Sequence, residues 1–242
     1  MENAPYIVFP MLGEGSRFVT AGYTTPKYLL EYKGKTMLEH AVDTLGVNGE
    51  LIFIIRGDHD QAYKDQIDRL TKKYDANLLI VNRKTQGAAE TVSLIRPYIQ
   101  DLSRPLITVN ADQYMHWNGK KFEELLASDP ESSYIVTHTD SSPKCSYVRL
   151  EGDEIVEVRE KIVISNTATV GIYHWASTKD FLEDVDQMME EGVKDNNEYY
   201  IAPVYNYTIK KGKKVKMYHI PPGQFYPVGT PEDFEYFKNL EL

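Results

Sequence analysis

The run Tyr6-Ile7-Val8-Phe9-Pro10-Met11-Leu12 leads straight into Gly13-Glu14-Gly15-Ser16-Arg17-Phe18. The first part is continuously apolar and carries β-branched residues. Such a run reads as a strand buried on both faces, as in a parallel sheet. The second part is a turn in which two glycines let the backbone come close to a ligand. Arg17 adds a planar guanidinium fork suited to phosphate oxygens. The Gly-x-Gly is followed by Ser-Arg-Phe, so the loop is neither a P-loop nor a complete dinucleotide fingerprint. Taken alone, it fits a surface turn with a solvated arginine as readily as a binding loop.

Outward from this stretch, strand and helix patterns alternate. Tyr28 to Tyr32 reads as a short strand, turned by Lys33-Gly34-Lys35. Thr36 and Glu39 form a capping box ahead of the apolar stripe Met37, Leu38, Ala41, Val42 and Leu45. Leu51 to Ile55 is a second buried strand, and Tyr63, Ile67, Leu70 and Tyr74 then keep helical spacing. Asn77 to Val81 is a third strand, Gln86 to Ile95 opens a helix, and Pro105 to Val109 is a fourth strand ending in Asn110-Ala111-Asp112. This alternation predicts an α/β fold, Rossmann-like, with a mixed, mainly parallel sheet flanked by helices. Parallel strands need long crossovers, and helices supply them.

The second half changes character. Ser133 to His138, Cys145 to Leu150, Glu154 to Val158 and Ala168 to His174 read as strands, with no full helix between the first three. A small antiparallel β region is expected there. Helices follow near Thr178–Glu191 and Glu198–Ile209, then a late strand at Val215–His219. Thr230 caps a last helix, with Pro231 at its first position and Glu232 and Asp233 in its first turn. No repeat or linker divides the chain, so residues 1–242 read as a single domain of two halves that meet at about residue 125.

Bulk properties narrow the function. The net charge is −9, which argues against nucleic acid as a partner but leaves room for a small anion in a local positive pocket. Cys145 is the only cysteine, so an internal disulfide is impossible and a reducing cytoplasm fits. Cys145 itself reads as a buried apolar residue rather than a nucleophile. No signal peptide is recognisable and no run is long enough to span a bilayer, so no membrane partner is expected. An oligomer is compatible with the composition.

Three strand-end segments could carry chemistry, because ligands of open α/β sheets bind beyond the carboxyl ends of the strands. They are the Leu12–Phe18 loop, the Thr25-Pro26-Lys27 segment that shares its long connection, and Asn110-Ala111-Asp112. A strand-end carboxylate such as Asp112 can hold Mg²⁺ beside phosphates. Gln86-Gly87 adds small residues at a helix start and an amide with both a donor and an acceptor. Each has a plainer reading: a solvated lysine, a capping aspartate, simple helix–sheet packing.

Together these pieces carry a resemblance. The Gly13–Phe18 loop, Thr25-Pro26-Lys27, Gln86-Gly87, Asp112, Glu160-Lys161, Gly171 and Gly229-Thr230-Pro231-Glu232-Asp233 occur in the order seen in nucleotidyltransferases of the sugar-phosphate type. The likeness runs from about Tyr6 to Phe237. The wording around Pro10-Met11 and Ala21-Gly22-Tyr23-Thr24-Thr25-Pro26-Lys27 resembles a capsule or surface-polysaccharide branch, and it is also similar to small-molecule cytidylyltransferases. The resemblance implies a Mg²⁺-dependent enzyme that joins a nucleoside triphosphate to a sugar 1-phosphate and releases pyrophosphate. Leu12, Gly13, Gly15 and Ser16 would wrap the triphosphate, with Arg17 and Lys27 as the catalytic cations. Gln86 and Gly87 would meet the base, and Asp112 the metal. Glu160, Lys161, Gly171 and Glu198 would bind the acceptor. The first half would then hold nucleotide and the second half acceptor.

One position departs from the pattern. The resemblance places an aspartate one residue before the final Gly-Thr as a second metal ligand, and here that residue is Val228. The departure keeps open a CTP-dependent enzyme acting on a non-sugar phosphate, whose cationic head group the many tyrosines could face. A non-catalytic nucleotide sensor is the alternative of another class.

Overall fold

The computed structural model describes residues 4–240. Its centre is a nine-stranded sheet. In chain order the strands are β1 (Tyr6–Met11), β2 (Glu50–Arg56), β3 (Asn77–Val81), β4 (Leu106–Val109), β5 (Ser133–Thr139), β6 (Tyr147–Glu151), β7 (Glu154–Arg159), β8 (Thr167–Trp175) and β9 (Val215–His219). Their spatial order is β3-β2-β1-β4-β8-β5-β9-β7-β6.

The first four strands pair in parallel, with Ile7 opposite Leu51 and Ile107. Alternation explains why β1 looked apolar throughout: Tyr6 and Val8 pack into one core, while Ile7, Phe9 and Met11 pack into the other. The helix Met37–Leu45 seals the second core with Leu38, Ala41 and Leu45. Its start is the expected capping box, the Thr36 hydroxyl accepting the Glu39 N–H at 3.1 Å and the Glu39 carboxylate accepting the Thr36 N–H at 2.8 Å. The helix Thr178–Glu190 seals the first core with Phe181, Leu182 and Val185.

The second-half strands join the same sheet. β8 runs antiparallel to β4 and β5, and β7 antiparallel to β6 and β9, while β9 is parallel to β5. Two small antiparallel pairs lie outside it, Gln113–Met115 with Phe225–Pro227 and Glu31–Tyr32 with Lys35–Thr36. The first brings the chain's end back beside the end of β4. There the helix Pro231–Lys238, capped by Thr230, covers Phe18, Tyr32 and Met37 with Phe234 and Phe237.

Two expectations are corrected. Tyr28 to Tyr32 is not one strand: Lys27–Leu29 is a 3₁₀ turn, closed by the Leu29 N–H on the Pro26 carbonyl at 2.9 Å, and only Glu31–Tyr32 is extended. Glu198 to Ile209 is not one helix either. The Tyr199 N–H donates to Gln86 O at 2.7 Å and the Ala89 N–H donates to Tyr199 O at 3.0 Å, so this backbone is spent across the fold. A 3₁₀ turn at Ala202–Val204 and the helix Tyr205–Lys210 come only afterwards.

His174 on β8 is a stability switch. It is 2% exposed, and its Nδ1 has no hydrogen-bond partner among the described residues. Burial pushes the imidazole down to about 3. The unfolded chain binds a proton near pH 6.5 that the folded chain refuses, so this stability is present above about 6.5 and is lost as pH falls toward about 3. The expected slope is up to about 1.4 kcal/mol per pH unit across that window. Urea midpoints of the wild type and His174→Gln, compared between about pH 7 and pH 4, read it; equal slopes would contradict it.

Candidate active site

The winding of the sheet reverses between β1 and β4, and crevices at such switch points take ligands. Here the strand ends open onto a cleft of about 950 Å³. Pro10–Phe18 form its floor after β1. Gly57–His59 follow β2, Asn82–Thr85 follow β3, and Asn110–Asp112 follow β4. Pro26, Lys27, Gly87, Glu198, Tyr200 and Gly229 complete the wall. Leu12, Gly13, Gly15, Ser16, Arg17, Lys27, Gly87, Asp112 and Glu198 therefore share one cleft.

Its charges are nearly balanced. The Lys27 Nζ lies 2.5 Å from Asp112 Oδ2. Arg56 pairs with Asp58 and Arg83 with Glu90, each at 2.6 Å, and Lys84 with Glu14. The Arg56 guanidinium holds the Asp58 carboxyl down to about 2. Of the arginines and lysines lining the cleft, Arg17 alone has no ion pair among the described residues. An entering anion can meet it without breaking an existing pair.

Backbone geometry sets the loops. Gly15 lies in the left-handed region at φ 62°, where it turns the loop into the helix Ser16–Thr20. Glu90 is buried, and its carboxylate accepts the Gln86 N–H at 2.6 Å and the Arg83 guanidinium, fixing the loop after β3. Gly87, at φ 139°, lies against Tyr199: a Cβ there would sit 2.4 Å from the Tyr199 carbonyl oxygen. That close approach joins the two halves of the chain. The Gln86 side chain points elsewhere, its Oε1 accepting from Lys194 Nζ at 2.5 Å.

Glu160, Lys161 and Gly171 stand behind the cleft wall. Glu160 is buried and accepts from the Ser146 hydroxyl; burial raises its carboxyl above the usual range, against the pull of Ser146 and Lys161. The Lys161 Nζ reaches the Tyr200 hydroxyl at 2.6 Å and lies 4.3 Å from that ring's centroid. Burial opposes the charge on Lys161, but Tyr200 and Glu160 overcome it and the ammonium is held above its ordinary range. Tyr200 thus links this pair to the cleft. Gly171 at φ 81° lets β8 pass Asn110, since a Cβ would come 2.4 Å from Asn110 Nδ2. Asn196 and Asn197 both take a positive φ in the turn bridged by Asp195 and Glu198.

Val228 is fully buried among Phe18, Phe234 and Phe237. Its N–H donates to the Asp112 carbonyl at 2.9 Å, but its side chain points away from the cleft. Successive side chains of an extended segment alternate. It is Gly229 that faces Asp112, where a Cβ would lie 2.9 Å from Oδ2. An aspartate at 228 would therefore be buried among aromatics, so the valine by itself removes no ligand.

Sequence reading missed Arg56, Asn82, Arg83 and Lys84. The strand-end rule that picked out Asp112 applied equally to β2 and β3, but their loops carry no motif. Cys145 is half-buried rather than buried, and burial together with Asp140 pushes its thiol up to about 11.

Fold and cleft define the class: a doubly wound α/β protein whose switch-point crevice is lined by paired cations and carboxylates. The family model described as nucleotidyl transferase matches residues 12–239, and the chain belongs to that family of nucleotidyltransferases. No curated protein sequence matches the chain. Among solved structures, the nucleoside-diphosphate-sugar pyrophosphorylase from Vibrio cholerae RC9 is similar at 26% identity and a TM-score of 0.85, over 97% of this chain and 100% of its own. The inositol-1-phosphate CTP transferase from T. maritima shares the fold at 15% identity and a TM-score of 0.73, over 96% of this chain and 91% of its own. A UDP-glucose pyrophosphorylase solved with UDP-glucose does so at 20% and 0.76, over 98% and 97%. Among the described residues no helix is long and apolar enough to cross a membrane.

The burial of Val228 gives a test. Val228→Asp is expected to destabilise the protein by roughly 2–5 kcal/mol without tightening its hold on a divalent ion. Denaturant melts and calorimetric Mg²⁺ titration measure the two effects. Wild-type stability with tighter binding would place side chain 228 in the cleft instead.

Proposed function

We propose that this nucleotidyltransferase joins a nucleoside triphosphate to a sugar 1-phosphate and releases pyrophosphate, supplying a nucleotide sugar for capsule or surface polysaccharide. The observation that carries the reading is the meeting of the Gly13–Arg17 loop, Lys27 and Asp112 in one crevice, with Glu198 and Tyr200 on its far wall. Residues up to about 125 would hold the nucleotide and the rest the acceptor.

Asp112 fits Mg²⁺. It offers a hard carboxylate oxygen, part-exposed in the cleft and already beside a cation, and magnesium binds through one or two carboxylates plus substrate phosphates. When bound, the ion neutralises charge on phosphate oxygens. Among the described residues no second carboxylate, histidine or thiol gathers with Asp112 into a three-ligand group, so phosphate and water would complete its shell.

The chain's own groups then do the following. Glycine-loop N–H groups and Arg17 receive the polyphosphate. Lys27 turns from Asp112 to a phosphate oxygen and offsets charge as the α-phosphorus is attacked in line. The attacking acceptor phosphate, whose second ionisation lies near pH 6, is already an anion, so no side chain need act as general base. Lys161 on Tyr200 stands ready for the acceptor's phosphate and Glu160 for its hydroxyls, while Gly171 and Gly87 keep both walls close. Gln86 would reach the base only by leaving Lys194.

A second reading keeps the chemistry and changes the substrates to CTP and a non-sugar phosphate. The half-buried Tyr200 ring, which lines the cleft and already packs against the Lys161 cation, favours it, because an aromatic ring in the cleft suits a cationic head group.

The direct test is a panel of common triphosphates against sugar 1-phosphates and head-group phosphates, read as pyrophosphate release. Turnover with a sugar 1-phosphate is expected; turnover only with CTP and a non-sugar phosphate would select the second reading, and none with any pair would refute both. In the productive pair, Asp112→Ala should abolish metal-dependent turnover. Lys27→Ala should lower kcat by about 10²–10³-fold with the thermal midpoint retained. Near-normal kcat in either variant would remove that residue from the site.

A further inference from the structure

Where β5 ends, a second group of ligand atoms converges away from the cleft. His138 is on β5, Asp140 follows it, and Cys145 closes the same loop just ahead of β6. Asp140 Oδ2 lies 3.9 Å from His138 Nε2 and 3.7 Å from Cys145 Sγ, and the three atoms all fall within 4.8 Å of one another. Among the described residues this is the only trio of histidine, cysteine or carboxylate ligands so gathered. The His138 Nε2 is buried without a hydrogen-bond partner among the described residues, a cost the fold bears for no visible return.

The surroundings already hold the ligands in place. Asp140 Oδ1 accepts the backbone N–H groups of Ser141 and Ser142 at 2.6 and 2.8 Å, which leaves Oδ2 aimed at the histidine and the thiol. The His138 ring packs edge-on against Phe225, with centroids 5.0 Å apart. Hydrogen-bonded, oriented ligands of this kind are what metal sites use to fix their first shell. The atom types decide the ion. Magnesium takes oxygen ligands, whereas a nitrogen, an oxygen and a sulfur suit zinc. From bond lengths of about 2.0–2.3 Å, tetrahedral zinc sets neighbouring ligand atoms about 3.3–3.6 Å apart. The two Asp140 pairs need to close by a few tenths of an ångström, and the His138–Cys145 pair, within 4.8 Å, by up to about 1.3 Å.

We propose that His138, Asp140 and Cys145 form a binding site for a zinc-type divalent ion, separate from the nucleotide cleft. Binding exchanges the thiol proton, released to solvent, for the metal–sulfur bond, and the three ligands leave a fourth position for water. The ion pins both ends of the Asp140–Cys145 loop. That loop leads directly to Ser146, whose hydroxyl is bonded to Glu160, so the metal braces the acceptor side of the enzyme.

Cobalt reads the site without interference, because the chain has one cysteine. Full-length protein, stripped with a chelator, is titrated with Co²⁺. A thiolate-to-cobalt charge-transfer band saturating at one equivalent is expected, bleached by Zn²⁺ but not by excess Mg²⁺. Asp112→Ala should keep the band, and Cys145→Ser and His138→Ala should bind Co²⁺ at least tenfold more weakly. The wild-type spectrum decides even if a variant fails to fold. A missing band, or equal Co²⁺ affinity in folded Cys145→Ser or His138→Ala, overturns the proposal.

Discussion

The pairing of Lys27 with Asp112 is the contact around which the cleft is organised. Each residue belongs to a different strand-end segment of the parallel half, and among the described residues neither side chain has another hydrogen-bond or ion-pair partner. An ammonium against a carboxylate in a partly solvated cleft is worth little as a stabilising bond. Its value lies in what it can exchange. A carboxylate that releases its lysine can take a cation, and the lysine can take a phosphate. Both events need the polyphosphate in the same place.

The rest of the fold serves that meeting. Two apolar cores, one on each face, clamp β1 from both sides, so the loop that leaves it at Gly13 starts from a rigid base. The chain's end returns as Phe225–Pro227 beside Gln113–Met115, which sets Gly229 against Asp112. The backbone of Tyr199 ties the Gln86–Ala89 segment to the second half. The cleft therefore has walls from both halves of the chain, as a two-substrate reaction requires.

Much of this was legible in the sequence. The apolar period of the first four strands, the Thr36–Glu39 box and the Thr230 cap are local signals, and local physics decides them. The shared cleft of Arg17, Lys27 and Asp112 followed from the strand-end rule together with the order of motifs. What stayed hidden depended on partners distant in sequence. Tyr199 looked helical because its hydrogen bonds to Gln86 and Ala89 leave no local trace. Val228 looked like a missing ligand because one sequence does not reveal which way an extended residue faces. Arg56, Arg83 and Lys84 sit in loops without a motif, and only the sheet order places them around one opening. The convergence of His138, Asp140 and Cys145 needs a folded loop to exist at all.

A crystal structure of the protein with Mg²⁺ and a non-hydrolysable nucleoside triphosphate tests the central claim most directly. The account predicts the polyphosphate between the Gly13–Arg17 loop and Lys27, with the ammonium moved from Asp112 onto phosphate oxygen and Asp112 facing the ion. A triphosphate bound elsewhere on the molecule, with the Lys27–Asp112 pair still closed, would contradict it.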